Sequence, residues 1–222
     1  MRRVDREKAL ETLDEIERLT SLPGKDGHAI EIGIPGIDGN ALDLMVKVAR
    51  LKGGLKLLVE KYSASQSVII VSGLVLILVR RAESTNLKNA YLLFEFIENL
   101  QRKDNSSILV TTLTAIRHQI GIAKVWHHTR MPESLYPFLQ HCLDFTGAKA
   151  NWIHRGLSDD VQMGAVDVLR TMCEVKTFDF NFSQEQRRWI EAKVGEIGNQ
   201  NTNHPIFQTS VSDFLNCLRT TS

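Results

Sequence analysis

Val68 to Val79, VIIVSGLVLILV, is a run of twelve residues without a single charge, and any fold of this chain has to bury it. At about 1.5 Å per residue a helix of that length reaches roughly 18 Å, well short of the roughly 30 Å hydrocarbon core of a bilayer. Extending it backwards adds Ser63, Ser65, Gln66 and Ser67, each of which costs insertion energy. A buried strand suits the Val/Ile content, since a strand covered on both faces reads as a continuous apolar run. The neighbours favour a helix instead. Leu55, Leu57, Leu58 and Val59 are interleaved with Lys56 and Glu60, and the run continues directly into Arg80, Arg81, Ala82 and Glu83. Within it, Val68, Val71, Val75, Leu78 and Ala82 keep three- and four-residue spacing, the stripe of a helix buried on most of its circumference. Ser72 and Gly73 are small positions where another helix can come close.

The stretch before the run gives it a context. Gly53-Gly54, then Leu55-Lys56-Leu57-Leu58-Val59-Glu60, a short Ser-rich break, and an apolar helix ending Leu78-Val79-Arg80-Arg81-Ala82 resemble the core of an armadillo repeat. Val161 to Val175, VQMGAVDVLRTMCEV, again resembles an armadillo helix. In that family a glycine bend leads into a helix lining the concave face, and the next helix packs behind it. The resemblance implies an all-α, armadillo/HEAT-like right-handed stack of about nine or ten helices. It implies a fold rather than an activity. An irregular helical bundle is the alternative architecture.

Taken in order, residues 1–22 carry an N-terminal helix, Asp5 to Leu22, with Leu10, Leu13, Ile16 and Leu19 along one stripe. Residues 23–40, PGKDGHAIEIGIPGIDGN, hold five glycines and two prolines and must break helix. Gly33, Gly36 and Gly39 match neither G-x-G-x-x-G nor the P-loop, so the stretch reads as a connection rather than a phosphate cradle. A first helical half, 41–130, begins with Asn40 as a cap and Leu42, Met45, Val46 and Ala49 inward. Gly53 and Gly54 set the bend into Leu55 to Tyr62. Helices follow over Thr85 to Leu100 and Ile108 to Ile120. Met131 to Pro137, with two prolines, is a joint to the second half, 131–222. There Leu135 to Phe145 reads as a helix with Gly147 as a stop. Ser158-Asp159-Asp160 caps the helix from Val161, which accounts for the paired acids without chemistry. Ser183 with Gln186 forms a capping-box pattern, and His204-Pro205 opens a last helix to near Leu218. Sliding segments over one another pairs Asp167 with Asp213 at an offset of 46, and Arg117 with Arg170 at 53. The repeat is therefore irregular.

Composition bounds the function classes. The 222 residues, 43% hydrophobic, can bury a sizeable core, and a formal charge of +1 excludes a generally basic nucleic-acid binder. Cys142, Cys173 and Cys217 are an odd number without paired spacing, which suits a reducing compartment. The start, MRRVDREKALETLDEIERL, lacks the apolar core of a secretory signal, so a cytoplasmic or nuclear location is expected. That the chain is a piece or short form of a longer repeat protein is a further reading.

Five of the seven histidines fall within Arg117 to Arg155, where His118, Trp126, His127, His128, His141, Cys142, Trp152 and His154 form the densest polar constellation. No C-x-x-C or H-x-x-x-H spacing occurs in it, so no metal and no cofactor are expected. Cys142 or Cys173 as a nucleophile paired with a histidine is the enzyme reading, against which both lie on apolar helix faces. Charge is uneven: Lys47 to Lys103 holds ten bases against four acids, a net +6. The reading is a non-enzymatic protein-binding scaffold or adaptor, with Lys47, Arg50, Lys56, Arg80, Arg81 and Lys88 meeting an acidic peptide segment of a protein partner. A nucleic-acid-associated repeat protein using the same bases is the alternative, and an enzyme or metal protein built on the histidine-rich centre a further one. The buried-helix assignment of the apolar run is directly testable. Val75→Glu should abolish soluble expression of the folded chain, read by gel filtration and circular dichroism, whereas a membrane anchor would lose only membrane association.

Overall fold

The computed structural model describes residues 3–20, 39–62, 105–122, 130–147 and 160–221, together with Ile70, Val71, Gly73, Leu74, Ile77, Leu78, Leu92, Phe96 and Ile97. Among the described residues all regular structure is helical. In chain order the helices are α1 (Arg3–Thr20), α2 (Gly39–Arg50), α3 (Gly54–Tyr62), α4 (Ser106–Ile122), α5 (Leu135–Leu143), α6 (Val161–Glu174), α7 (Phe178–Asn181), α8 (Gln184–Gln200) and α9 (Pro205–Thr221). The all-α class follows, and the described members of the apolar run are helical and buried, with Val71, Leu74 and Leu78 at 0% exposure. Full burial of such a side chain stabilises by about 1.5–3 kcal/mol, enough to decide the path of the chain. Val75 and the helix expected over Thr85 to Leu100 lie outside the described residues, apart from helical Leu92, Phe96 and Ile97. No described helix is long and apolar enough to cross a membrane.

The N-terminal helices form a sub-assembly. In α1 the inward stripe is Ala9, Leu13 and Ile16, all at 0% exposure, while Leu10 is 41% exposed. Leu13 and Ile16 of the expected stripe are thus inward as expected and Leu19 is half-buried, while Ala9 rather than Leu10 takes the buried place one turn before Leu13. Helix α2 already begins at Gly39, one residue before the expected cap at Asn40, and buries Met45, Val48 and Ala49. Gly53 has φ +79°, a conformation glycine adopts at no steric cost, and it turns the chain from α2 into α3. Gly54 is needed for another reason, since a methyl there would collide with the Val48 carbonyl. Helix α3 then returns onto α1, where the buried Tyr62 hydroxyl donates to the Leu13 carbonyl at 3.2 Å and Lys61 pairs with Glu17 at 3.0 Å.

From α4 onward the helices form two rows. In the first, α6 packs between α4 and α9. Leu113, Arg117 and Gly121 of α4 meet Gly164, Asp167 and Thr171 of α6, so the two helices run in the same direction. Asp167 of α6 meets Ser210 of α9, and Phe178, just beyond the end of α6, meets Phe214 farther along α9, so these two are parallel as well. In the second row, Tyr136 on α5 meets Trp189 on α8, and Asp144 after α5 pairs with Lys193 at 3.0 Å, which makes α5 and α8 parallel. Gly198 on α8 faces Val211, and Gln208 reaches the carbonyls of Gly198 and Asn201, so α8 and α9 are antiparallel. By the same logic α5 runs against α6, and the Gln162 amide closes that pair on the Leu143 carbonyl at 3.0 Å. Contacts across the first row fall at separations of 50 and 43 residues. Both are three short of the sequence offsets of 53 and 46, so residues in contact stand about one turn out of step with residues that resemble each other.

Helix starts in this half are set by side chains. Asp160 accepts from the Met163 amide at 3.1 Å, and Ser183 and Gln186 make the reciprocal capping box at 2.8 and 3.3 Å. Asn105 caps α4 through the Ile108 amide at 3.2 Å. Helix α5 ends at Leu143, two residues earlier than expected, with Asp144 as its cap, so Gly147 is not its stop. Helix α9 starts at Pro205 as expected and runs three residues beyond Leu218. Helix α6 ends on Lys176, at φ +59°, with the Thr177 amide on the Met172 carbonyl at 2.8 Å and the Lys176 amide on Cys173 at 2.9 Å. That is a Schellman closure with lysine where glycine is usual. A left-handed conformation costs a non-glycine residue about 1–2 kcal/mol. Lys176→Gly, after the entropy glycine regains in the unfolded chain, should therefore raise stability by about 0.5–1 kcal/mol in urea denaturation.

Candidate functional site

Of the six bases singled out for a partner, three are described. Lys47 and Arg50 lie in the last turn of α2, exposed and one turn apart, where positive charge complements the helix C-terminus. Lys56 sits in the first turn of α3 and reaches Glu60 at 3.8 Å with both side chains at least 60% exposed, a pair worth only about 0.3–0.5 kcal/mol. Lys52, also exposed, falls between them in sequence, whereas Lys61 is engaged with Glu17. The bend at Gly53 thus gathers Lys47, Arg50, Lys52 and Lys56 onto two consecutive helices and the turn joining them. Arg80, Arg81 and Lys88 lie outside the described residues.

A second polar feature crosses the α4–α6–α9 row. Asp167, with its side chain 11% exposed, accepts from Arg117 Nη1 at 3.3 Å on one side and from Ser210 Oγ at 2.9 Å on the other. Arg170 approaches the same carboxylate at 3.7 Å and pairs with Glu174 at 3.1 Å. The arrangement balances two guanidinium groups against two carboxylates and uses a hydroxyl as a neutral third partner. It binds three helices together and leaves little net charge on that face. Sequence reasoning used Asp167 only in the offset comparison, although an acid between Ala165, Val166, Val168 and Leu169 signals a carboxylate satisfied inside the fold.

A third feature is a cleft of about 360 Å³ where the 131–137 joint meets α7 and the start of α8. Arg130, Glu133, Tyr136, Asn181, Phe182 and Gln186 are among its lining residues. Asn181 holds the joint in place, accepting from the Met131 amide at 2.6 Å and donating to the Thr177 carbonyl at 2.7 Å. Tyr136 stands edge-on to Phe182 and to Trp189, each ring centre 6.1 Å away. Burial, then the Glu185 and Asp144 carboxylates, push the Tyr136 phenol above its ordinary pKa, so it remains a neutral hydroxyl. The short helix α7, absent from the sequence reading, is what closes this cleft.

The histidine-rich centre is partly in view. His118 and His141 are half-buried, His141 edge-on to Phe145, while Trp126, His127, His128, Trp152 and His154 lie outside the described residues. Among the described residues no group of three or more His, Cys, Asp or Glu side chains is placed to hold a metal ion. Burial pushes the Cys142 thiol well up, and it pushes Cys173 up as well, which disfavours the thiolate that a cysteine nucleophile needs. Searches against protein-family models, curated proteins and solved structures return no match to this chain.

The three-helix bridge at Asp167 makes a measurable claim. Removing a largely buried, charge-assisted partner leaves Arg117 and Ser210 unsatisfied, so Asp167→Ala should cost about 2–3 kcal/mol in urea denaturation. Asp167→Asn keeps the acceptor for Ser210 and should cost about half as much. A double-mutant cycle of Asp167→Ala with Ser210→Ala should return a coupling of about 1 kcal/mol.

Proposed function

We propose that this chain is a non-enzymatic helical-repeat module, an armadillo/HEAT-like right-handed stack that serves as a protein-binding scaffold or adaptor. The observation that carries the reading is the direction of the helices. In an up-and-down bundle, neighbouring helices alternate in direction. Here α4, α6 and α9 lie side by side and point the same way, with α5 and α8 running back between them. Two hairpins of that kind, α5–α6 and α8–α9, laid against each other and against α4, are the element a solenoid repeats. Such a stack grows by adding hairpins, and the side chains along its face can read a partner without cofactor or chemistry.

The bases on α2 and α3 supply a recognition chemistry. Lys47, Arg50 and Lys52 are exposed and have no carboxylate at ion-pair distance among the described residues, and Lys56 has only a weak one. An acidic segment of a protein partner, lying extended across the repeat surface, is the ligand they suit, with Arg80, Arg81 and Lys88 extending the same charge in sequence. The test is affinity capture on the immobilised full chain with nuclease present, followed by mass spectrometry, repeated with Lys56→Glu and Arg80→Glu together. A nuclease-resistant protein partner whose recovery falls at least fivefold on charge reversal is expected. Recovery unchanged by the reversal removes the basic surface from the proposal, and retention that nuclease abolishes replaces it with nucleic-acid binding.

A further inference from the structure

The cleft where the 131–137 joint meets α7 and α8 keeps polar groups that the fold does not use. Among its lining residues Asn181 is spent, its carbonyl on the Met131 amide and its NH2 group on the Thr177 carbonyl. Gln186 gives its side-chain carbonyl to the Ser183 amide at 2.8 Å and keeps its NH2 group. Arg130 and Glu133, both exposed, and the Tyr136 hydroxyl make no hydrogen bond or ion pair with the described residues. Arg130 and Glu133 carry opposite charges three residues apart and still do not pair. The backbone between them is anchored: Asn181 holds the Met131 amide at 2.6 Å, Pro132 has a fixed φ, and its carbonyl accepts from the Leu135 amide at 3.1 Å. Both charges are therefore presented at the cleft rather than consumed by the fold.

The space beside them, about 360 Å³, is within the size range of sites that take small organic molecules. Met131, Leu135 and Phe182 are its buried members, each no more than 4% exposed. The Tyr136 ring stands at 60° to that of Phe182 with centres 6.1 Å apart, so the two rings form adjoining walls rather than a stack. The ligand that matches carries an anionic and a cationic group at one end and a flat apolar group at the other. A phosphate ester would meet one guanidinium opposed by one carboxylate, and a hydrocarbon would leave every unused polar group idle. A simple amine or a simple carboxylic acid would engage only one of the two charges.

We propose that this cleft binds a free α-amino acid with an aromatic side chain. The ligand's carboxylate takes the Arg130 guanidinium, its ammonium donates to Glu133, and its ring lies against Phe182 and Tyr136. The Gln186 NH2 group and the Tyr136 hydroxyl are further donors for the carboxylate oxygens. Arg130 and Glu133 flank the start of the joint, whereas Phe182 and Gln186 belong to the corner between α7 and α8, so the bound molecule ties the joint to that corner. The site shares no residue with the basic surface of α2 and α3, and it stands or falls independently of the acidic-partner reading.

The experiment titrates the purified full chain, by calorimetry and ligand-observed NMR, with L-phenylalanine, with phenethylamine, which lacks the carboxylate, and with 3-phenylpropionate, which lacks the ammonium. Saturable one-to-one binding of L-phenylalanine with a Kd of about 1 mM or tighter is expected, and each analogue should bind about tenfold more weakly, the effect of one charge-assisted hydrogen bond. Arg130→Gln should weaken L-phenylalanine about tenfold and leave phenethylamine unchanged, and Glu133→Gln should weaken L-phenylalanine equally and leave 3-phenylpropionate unchanged. Both side chains are exposed and unpaired, so both variants should keep the wild-type circular dichroism. The proposal is overturned if L-phenylalanine shows no saturation at about 20 mM, well above the expected constant. It is equally overturned if either analogue binds as tightly as the amino acid, or if either variant leaves L-phenylalanine binding unchanged.

Discussion

Asp167 is the side chain on which the second half of the molecule depends. A carboxylate 11% exposed has to be compensated, and here the compensation comes from three directions: Arg117 on α4, Arg170 on its own helix and Ser210 on α9. Apolar side chains in this row would pack in several registers at similar energy, because a helix surface repeats every turn and the hydrophobic effect has no direction. The carboxylate removes that degeneracy. Only one register places Arg117 and Ser210 on opposite sides of it, and a slip by one turn would leave a buried charge unpaired. The value of the contact lies in specifying the row more than in stabilising it, since a well-packed apolar replacement of the whole cluster could match its stability.

Close approach and the charged bridge depend on each other. A methyl on Gly164 would sit 3.1 Å from Leu113 Cδ1, which shows how near α4 and α6 lie. The contact between Gly198 and Val211 is tighter still, at 2.9 Å. Gly164 lets α4 and α6 come together so that the short side chain of Asp167 reaches Arg117, while Gly198 lets α9 close onto α8. On the second row, bulk does the corresponding work. Tyr136 wedged between Phe182 and Trp189 holds α5 apart from the start of α8, and the gap beside that wedge is the cleft at the joint. The α4–α6 and α8–α9 contacts are thus set by small residues, and the α5–α8 contact by separation through large ones.

Sequence reached the features whose partners are close along the chain. The caps at Asp160 and Ser183, the reciprocal Gln186 bond, the glycine bend at Gly53 and the start of α9 at Pro205 each depend on residues within about one turn, and each is where the pattern places it. What escaped was decided elsewhere. In α1 the spacing located Leu13 and Ile16, but that Ala9 and not Leu10 is the buried residue of the preceding turn depends on packing that spacing within α1 alone does not reveal. Helix α7 has four residues, too few for any periodicity, and exists because Phe178 packs on Phe182 and Phe214. Asp167 was visible as an acid in an apolar helix, but its partners stand 50 and 43 residues away. The bases of the candidate surface were legible as charge. Their grouping around the Gly53 bend, and the engagement of Lys61 by Glu17, were not.

Charge that is used to build the fold is unavailable for recognition, and this divides the molecule. Across the α4–α6–α9 row, Arg117, Asp167, Arg170 and Glu174 satisfy one another, so that face presents polarity with little net field. On α2 and α3 the bases are surplus to folding: Lys47, Arg50 and Lys52 lie exposed at a helix end and in a turn. A single exposed ion pair contributes about 0.2–1 kcal/mol, so no one of these residues can hold a partner. Several engaged together by an extended acidic segment can, provided the segment is long enough to follow the bend from the end of α2 into α3. On the proposed reading, a surface of that kind would discriminate by the length and spacing of negative charge rather than by the shape of one pocket.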